Sequence, residues 1–385
     1  MTVSADAARF IKLAGPARWR RRVADIAAMC GNGHRAGRAA LHRHLLELTI
    51  DRLSRAEDRR LTTAEAAILS LAQATIALAV SLTPDGRGRL LAALRAGLAD
   101  ENTLVPLFHI LRTAAMQRAR GFSVRFAGFA DAAPFDLLIS RDGVEAEIAC
   151  NTMSAEDGRD VHRGAWVRLV DRIDPDLQTW LGAHPGRYLL KMTLPQGLKS
   201  APESLASLHD RIKVMLAGST RQDHDAAAVL RLDPLMLAAS QADEAGLLAG
   251  VRREFGNEAH LAVTSAGQGV FVLAARAGRE NEIAVAMRHR LGVLAPTRLS
   301  GTRPGILAMF IEDTDRAEWG ELRDRLRLEA ETRQFLAYPS ARQVVAVTCA
   351  SRHEMLADEG ELRFRNTGNA FAKVAALAPA VMSTM

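Results

Sequence analysis

The sequence predicts an α/β protein with three consecutive parts. These are a helical N-terminal region, a core in the order helix–strand–strand–strand–helix–strand, and a further α/β extension. Three observations carry that prediction. From the start to about residue 120, apolar residues recur at helical spacing. After Gly121 the apolar period drops to two, and Asp142-Gly143 lies between two such runs as a hairpin turn. Beyond residue 200, helical and strand-like segments alternate. The expected boundaries are 1–103, 104–200 and 201–385.

In the first part, residues 17–29 form an amphipathic helix with Arg18, Arg20, Arg21 and Arg22 clustered at its start, and Gly31-Asn32-Gly33 ends it. Helices over 38–53 and 63–82 follow, then the turn Pro84-Asp85-Gly86 and helices over 87–98 and 104–120. Strands are expected over 122–128, 135–140 and 144–152. A helix over 161–173 and a shorter piece from Pro175 to Leu181 precede a strand over 188–194 that Pro195 stops. The last third reads as helix 203–216, strand 226–232, helix 238–255, hairpin 261–275, helix 281–291, strand 305–312, helix 317–330 and strand 343–349.

With 385 residues and 48% hydrophobic content, the chain can bury a substantial core. The apolar stretch over 66–82 is interrupted by Ser, Gln and Thr, and no basic region followed by an apolar run opens the chain. A cytoplasmic location without a membrane partner is expected. Cys30, Cys150 and Cys349 are odd in number and far apart, which excludes a disulfide framework and any Cys/His zinc spacing. No Walker loop, Ser/His/Asp triad or dinucleotide fingerprint is present; Gly267-Gln268-Gly269 lies within a hairpin. Net charge is +6, almost all of it arginine. Arginine suits bidentate phosphate contacts, although a GC-rich genome also writes it by default. Aromatics are 5%, too few for a base-stacking platform, so a nucleic-acid ligand would be held by its backbone. The arginines of 18–22, with His34, Arg35, Arg38, His42, Arg43 and His44 downstream, form either a phosphate-facing surface or a solvated helix face.

The chemistry concentrates on residues 144–151. Even positions (Val144, Ala146, Ile148, Cys150) are small or apolar, whereas odd positions are Glu145, Glu147, Ala149 and Asn151. Across the hairpin, Asp136 sits in the apolar run Phe135-Asp136-Leu137-Leu138-Ile139. A buried carboxylate costs several kcal/mol unless neutralised. Either a divalent metal or Arg125 on the neighbouring strand would serve. A two-residue Asp142-Gly143 turn pairs Arg141 with Val144 and so sets Asp136 opposite Ala149.

This order of elements, with an Asp on the second strand and acids on the third, resembles the PD-(D/E)XK nuclease family, whose core is restriction-endonuclease-like. The segment from Thr152-Met153-Ser154 through Gly158-Arg159 to His162-Arg163 is similar to bacterial branches in which a Glu-Cys-Lys triplet precedes it. Weaker echoes are Arg303-Pro304-Gly305 and Phe364-Arg365-Asn366. The resemblance implies a metal-dependent DNA endonuclease, a hydrolase using Mg²⁺ or Mn²⁺. It implies a metal set drawn from Asp136, Glu147 and Cys150, a main-chain carbonyl contributing, and phosphate contacts from Arg159, His162 and Arg163 at a helix N-terminus.

Alignment on Thr152-Met153-Ser154 places the triplet on Ala149-Cys150-Asn151. A methyl cannot bind metal, and an amide cannot stabilise hydroxide as an ammonium does. That pattern fits an inactivated active site, engineered or natural. A second register uses Glu145-Ala146-Glu147, with Asp136 and Glu145 on the metal and Glu147 at the water. It lies four residues away, roughly 13 Å along a strand. The Ala-Cys-Asn register is preferred because its downstream match is longer. The expected behaviour is therefore an impaired nuclease, or a non-catalytic DNA-binding or scaffold protein in DNA processing or phage defence. An α/β protein with no nucleic-acid role is the third reading. The N-terminal helices would supply contacts to DNA, to a protein partner or to a second copy. Trp166 and Trp180 read as core, and Cys150 as a buried, inert thiol.

Overall fold

The structure is a computed structural model describing residues 3–31, 33–55, 59–199, 201–218, 220–234, 244–256, 258–357 and 360–382. The first half contains α1 (Val3–Ala14), α2 (Pro16–Cys30), α3 (His34–Arg43), α4 (Leu45–Ser54), α5 (Thr63–Ser81), α6 (Pro84–Gly97), α7 (Val105–Ala119), β1 (Ser123–Arg125), α8 (Ala127–Asp131), β2 (Leu137–Arg141), β3 (Val144–Ser154), α9 (Arg163–Ala183) and β4 (Arg187–Leu194). The second half contains α10 (Pro202–Ala217), β5 (Gln222–His224), β6 (Val229–Pro234), α11 (Glu244–Phe255), β7 (His260–Ala266), β8 (Gly269–Ala277), α12 (Ile283–Arg298), β9 (Gly305–Glu312), α13 (Arg316–Asp324), α14 (Arg327–Leu336), β10 (Val344–Ser351), α15 (Arg352–Ala357), β11 (Leu362–Arg365) and α16 (Ala378–Val381). The mixed α/β class expected from sequence is what forms. The six residues 238–243 of the expected helix 238–255 lie outside the described residues.

Two compact units result, and they cut across the three consecutive segments expected. The first comprises Met1–Ala27, Arg43–Asp157 and Ala284–Met385; the second comprises Ala28–His42 and Gly158–Ile283. The first unit holds a sheet in the order β1-β2-β3-β9-β10-β11. β1, β2 and β3 pair antiparallel, β3, β9 and β10 pair parallel, and β11 closes antiparallel on β10. Alternation splits β3 and β9 between two layers. Ala146, Ile148, Cys150, Ile306, Ala308 and Phe310 join Phe10, Trp19, Ile50, Leu90 and Phe108 of the N-terminal helices in one core. On the opposite layer Cys349 of β10 touches Met287 of α12, with the sulfurs 3.5 Å apart.

The second unit carries a sheet in the order β5-β6-β4-β8-β7, in which β4 and β8 are parallel. Trp166, Leu169 and Ile173 of α9 pack there on Leu190, Met192, Phe271 and Leu273, and Trp180 packs against them. The core role expected of Trp166 holds, whereas Trp180 is only partly buried at its edge. β4 was expected beside β1–β3; it pairs instead with β6 and β8. Gly158 in this unit is fixed by close backbone approach. An added Cβ would lie 2.4 Å from the Ile283 Cα, where the Glu282 amide donates to the Gly158 carbonyl at 2.7 Å. Gly158→Ala is expected to destabilise by about 2–3 kcal/mol, as overpacking against backbone does. Urea denaturation midpoints measure this, and an unchanged midpoint would contradict the close approach.

Other differences have local causes. Pro84-Asp85-Gly86 is the first turn of α6, because Thr83 caps its N-terminus and Pro fits the first helical position. Pro175 does not interrupt α9: Leu177 and Leu181 extend the buried stripe of Leu169 and Ile173, and that burial outweighs the lost hydrogen bond. The expected helix 317–330 breaks at Leu326, whose φ is 55°. The strand expected over 122–128 ends at Arg125, and residues from Ala127 turn into α8. Contrary to the expectation from 66–82, α5 is long and apolar enough to cross a membrane by length and composition. It carries a capping box at Thr62 and Glu65 and buries Ile68, Leu69, Leu71 and Ala72 in the first unit's core.

Candidate functional site

The β2–β3 hairpin has the register required by its turn. Arg141 pairs with Val144 and Leu137 with Ile148, while Asp142 and Gly143 adopt φ of 51° and 76°. Asp136 directly precedes the paired segment; its amide donates to the Ile148 carbonyl at 3.0 Å and its Oδ2 accepts from the Cys150 amide at 2.7 Å, so it lies against residues 148–150 of β3. Asp136, Glu147, Ala149 and Asn151 lie on the layer opposite the N-terminal helices, the layer on which α12 packs.

Each polar residue of that face has a protein partner. The Asp136 Oδ2 accepts from the Cys150 amide at 2.7 Å and from the Arg298 Nη2 at 2.9 Å. Burial pushes this carboxyl above the ordinary range, with the Arg298 charge opposing it. The alternative partner Arg125 pairs with Asp131 at 2.8 Å instead. Glu147 is fully buried; it accepts from the Ser300 amide at 2.8 Å, the Ser300 hydroxyl at 2.5 Å and the Arg303 Nη1 at 3.4 Å. Glu145 is exposed and pairs with the Arg303 Nε at 3.0 Å. The Asn151 Oδ1 accepts from the Arg290 Nε at 3.1 Å. Ala149 is buried, and the Cys150 thiol lies in the helix-covered core, where burial raises it well above its ordinary range.

These residues do not fit a Mg²⁺ or Mn²⁺ centre. Ala149 offers no donor, Arg298 holds Asp136, and the loop after α12 holds Glu147. Among the described residues, no group of three or more His, Cys, Asp or Glu is disposed to hold a metal ion.

The expected phosphate contacts are dispersed. Arg159, His162 and Arg163 belong to the second unit. Arg159 is buried rather than open to a ligand, and α9 begins only at Arg163. His162 precedes that helix, and its amide donates to the Leu198 carbonyl at 2.9 Å. Arg18, Arg20 and Arg21 are exposed on α2, but Arg22 is buried and donates to the carbonyls of Asp100 and Asn102. His44 is buried beside Arg22, at 3.2 Å from its Nη2, which breaks the helix expected over 38–53.

Sequence reasoning missed two groups. One is the α12 side of the face: Arg290, Arg298, Ser300 and Arg303. The motif Arg303-Pro304-Gly305 is visible in the sequence, but nothing there brings it to Glu147, whose amide donates to the Pro304 carbonyl at 2.9 Å. The other group lies at the C-terminal ends of β3, β9 and β10, where open α/β sheets often bind ligands. There Asp313 (φ 62°) accepts from both the Arg43 Nη1 and the Ser154 hydroxyl, Glu312 accepts from Thr103, and Arg352 donates to the Arg43 carbonyl. Arg43 draws the Asp313 carboxyl below its usual range despite burial, which acts oppositely; burial holds Glu312 above it. The available signal was charge directly after an apolar strand: Glu312-Asp313 and Ser351-Arg352.

Fold and site together define a two-unit α/β protein with an ion-paired polar sheet face under an arginine-bearing helix. The chain matches no protein-family model, and neither curated proteins nor solved structures give a significant match.

Proposed function

We propose that the chain is a nuclease-like protein of PD-(D/E)XK ancestry that binds DNA without cleaving it. Support comes from the order α7, β1, β2, β3, α12 and β9, which approximates helix, three antiparallel strands, helix, parallel strand, with α8 between β1 and β2 and the second unit between β3 and α12. The observation that carries the proposal is Asp136 held against the Ile148–Cys150 stretch of β3, which includes Ala149 and is followed by Asn151, on a sheet face beneath α12. Such a face has the layout of a hydrolytic centre and lacks its reactive groups: Ala149 brings no second carboxylate to Asp136, and Asn151 brings no ammonium to orient water. Glu145 and Glu147 are held by Arg303 and Ser300, which disfavours the alternative register. DNA is the favoured ligand because the net charge is +6 and Arg20, Arg21 and Arg290 are exposed. A role in DNA processing or phage defence follows from family analogy alone.

Plasmid and linear duplex DNA should stay intact with Mg²⁺ or Mn²⁺. Fluorescence anisotropy should show binding that weakens steeply with salt and is indifferent to EDTA. Arg20→Ala/Arg21→Ala should reduce the log–log salt slope by about 2, one unit for each phosphate no longer neutralised. Metal-dependent cleavage abolished by Glu145→Gln would transfer the site to Glu145 and Glu147. No binding at low salt would sink the DNA reading.

A further inference from the structure

We infer that the open edge of β7 is a docking surface for the β7 of a second copy of this chain, and that Arg35 holds that edge closed. The inference is independent of the DNA reading. β7 is an outer strand of the second unit's sheet and is paired on its β8 side. Ala266 pairs with Gly269 across a two-residue turn, so inward- and outward-facing backbone groups alternate along β7 from there. The Val270 amide fixes the phase, because it donates away from β7, to the Gly186 carbonyl at 2.9 Å. Its opposite number Ser265 therefore turns its N–H and C=O to the open side, and so do Val263 and Leu261.

Such an edge is a template for another strand, and folded proteins blunt it with brevity, charge or proline. The other outer strands follow that rule. β1 and β5 are three residues long and carry Arg125 and Asp223, and β11 carries Arg363 and Arg365. β7 has seven residues, His260-Leu261-Ala262-Val263-Thr264-Ser265-Ala266, with no Asp, Glu, Lys, Arg or Pro among them. Its charge comes from elsewhere. The Arg35 Nη2 donates to the Val263 carbonyl at 2.6 Å, at the centre of the outward-facing set. Arg35 is itself firmly seated. Its Nη1 meets the Asp174 Oδ1 at 3.0 Å, the oxygen that also takes the Thr264 hydroxyl at 2.5 Å. The Asp171 carboxylate accepts from the Arg35 amide at 3.0 Å and the Ala36 amide at 2.7 Å. Gly33, with φ of 123°, permits that approach, since an added Cβ would lie 2.5 Å from the Asp171 Oδ2. The edge is also self-complementary. An antiparallel copy centred on Val263 sets Val263 against Val263 and Leu261 against Ser265, and so doubles the five-stranded sheet.

The test is sedimentation velocity of the purified full chain, without DNA, from about 5 to about 200 μM, a range that brackets micromolar self-association. Arg35→Ala should self-associate at least about tenfold more tightly than wild type, because a charge-assisted hydrogen bond no longer has to be given up before β7 can pair. Arg35→Ala/Val263→Pro should return to wild-type behaviour, since proline deletes an outward N–H and spares the ladder to β8. Hydrogen exchange should place the new protection of concentrated Arg35→Ala in residues 260–266. If Arg35→Ala does not fold, Arg35→Met, which keeps the length of the stem without its donors, is read in the same way. An Arg35→Ala chain as dissociated as wild type would overturn the inference. So would association, soluble or aggregated, that persists with Val263→Pro or leaves residues 260–266 exchanging as before.

Discussion

Glu147→Ala is expected to lower stability by about 3 kcal/mol, and Glu147→Gln by roughly half as much, in urea denaturation at neutral pH. The carboxylate projects from the middle of β3 with no exposed surface and takes three donors from the loop joining α12 to β9. The Ser300 hydroxyl also contacts the Thr302 hydroxyl at 2.8 Å and accepts from the Thr302 amide at 3.2 Å, so the turn is organised around the oxygen Glu147 holds. Hydrogen bonds to a buried charge are each worth roughly 1.5–3 kcal/mol, and a donor left unpaired adds its own desolvation cost. The Arg303 share is discounted, because its side chain is 43% exposed and keeps Glu145 as partner. Glutamine keeps an acceptor for the Ser300 amide but loses the charge. A hydrolytic carboxylate would behave in the opposite way, since reactive groups are commonly held at a cost and their removal is neutral or stabilising. A Glu147→Ala chain as stable as wild type would therefore reopen the Glu145/Glu147 register as a working site.

The legible parts of the fold were local. The strand Gly305–Glu312 was read at its observed limits because Pro304 and the acidic pair after Ile311 bracket an unbroken apolar run. The hairpin register was legible because two residues with positive φ leave one way to close the turn. Partnership between distant strands was not. Two helix–strand pairs, α9 with β4 and α12 with β9, follow β3 in the chain; contiguity favoured β4 as the next strand of that sheet, whereas β9 is the one that pairs with β3. The burial of β3 held a hint. Residues 146–150 are buried at both odd and even positions, as a central strand requires. Their odd positions read as Glu147 and Ala149, however, and so resembled a half-exposed edge. Pairing of charges was equally hidden. Asp136 needed a cation, but the choice between Arg125 and Arg298 is made by the fold, across 162 residues in the latter case. Likewise Arg22 and His44 read as either a phosphate-facing or a solvated helix face, and their burial with Glu47 was hidden, because a helical charge run has the same spacing whether it faces water or a neighbouring helix.

Those same buried groups give the second large effect: Glu47→Gln should stabilise the chain by an amount that grows with pH. Glu47 is fully buried, neither carboxylate oxygen has a hydrogen-bond partner among the described residues, and the His44 Nδ1 lies 4.0 Å away. Burial pushes its carboxyl up to about 7 from an ordinary 4.5, against its own backbone and the charges of Arg22 and Arg352. Burial likewise pushes His44 down to about 4 from 6.5, reinforced by Arg22, Arg43 and Arg352. The raised carboxyl makes the folded state bind its proton more tightly, so its contribution is complete below pH 4.5 and lost as pH rises through about 7. The depressed imidazole acts in reverse, its contribution being complete above pH 6.5 and lost as pH falls towards 4. Between pH 4.5 and 6.5 the two slopes oppose each other, so the wild-type profile from this pair is nearly flat and hides both titrations. Glutamine keeps the shape and removes one of them. The difference between Glu47→Gln and wild type should rise from near zero at pH 4.5 to about 3 kcal/mol above pH 7, one pKa unit being worth about 1.4 kcal/mol. Glu47→Gln alone should also expose the His44 slope as stability increasing with pH up to about 6.5. Denaturant titrations of both chains from pH 4.5 to 8 decide the matter. A difference that stays constant across that range would mean that Glu47 is charged throughout and that Arg22 and Arg352 outweigh its burial.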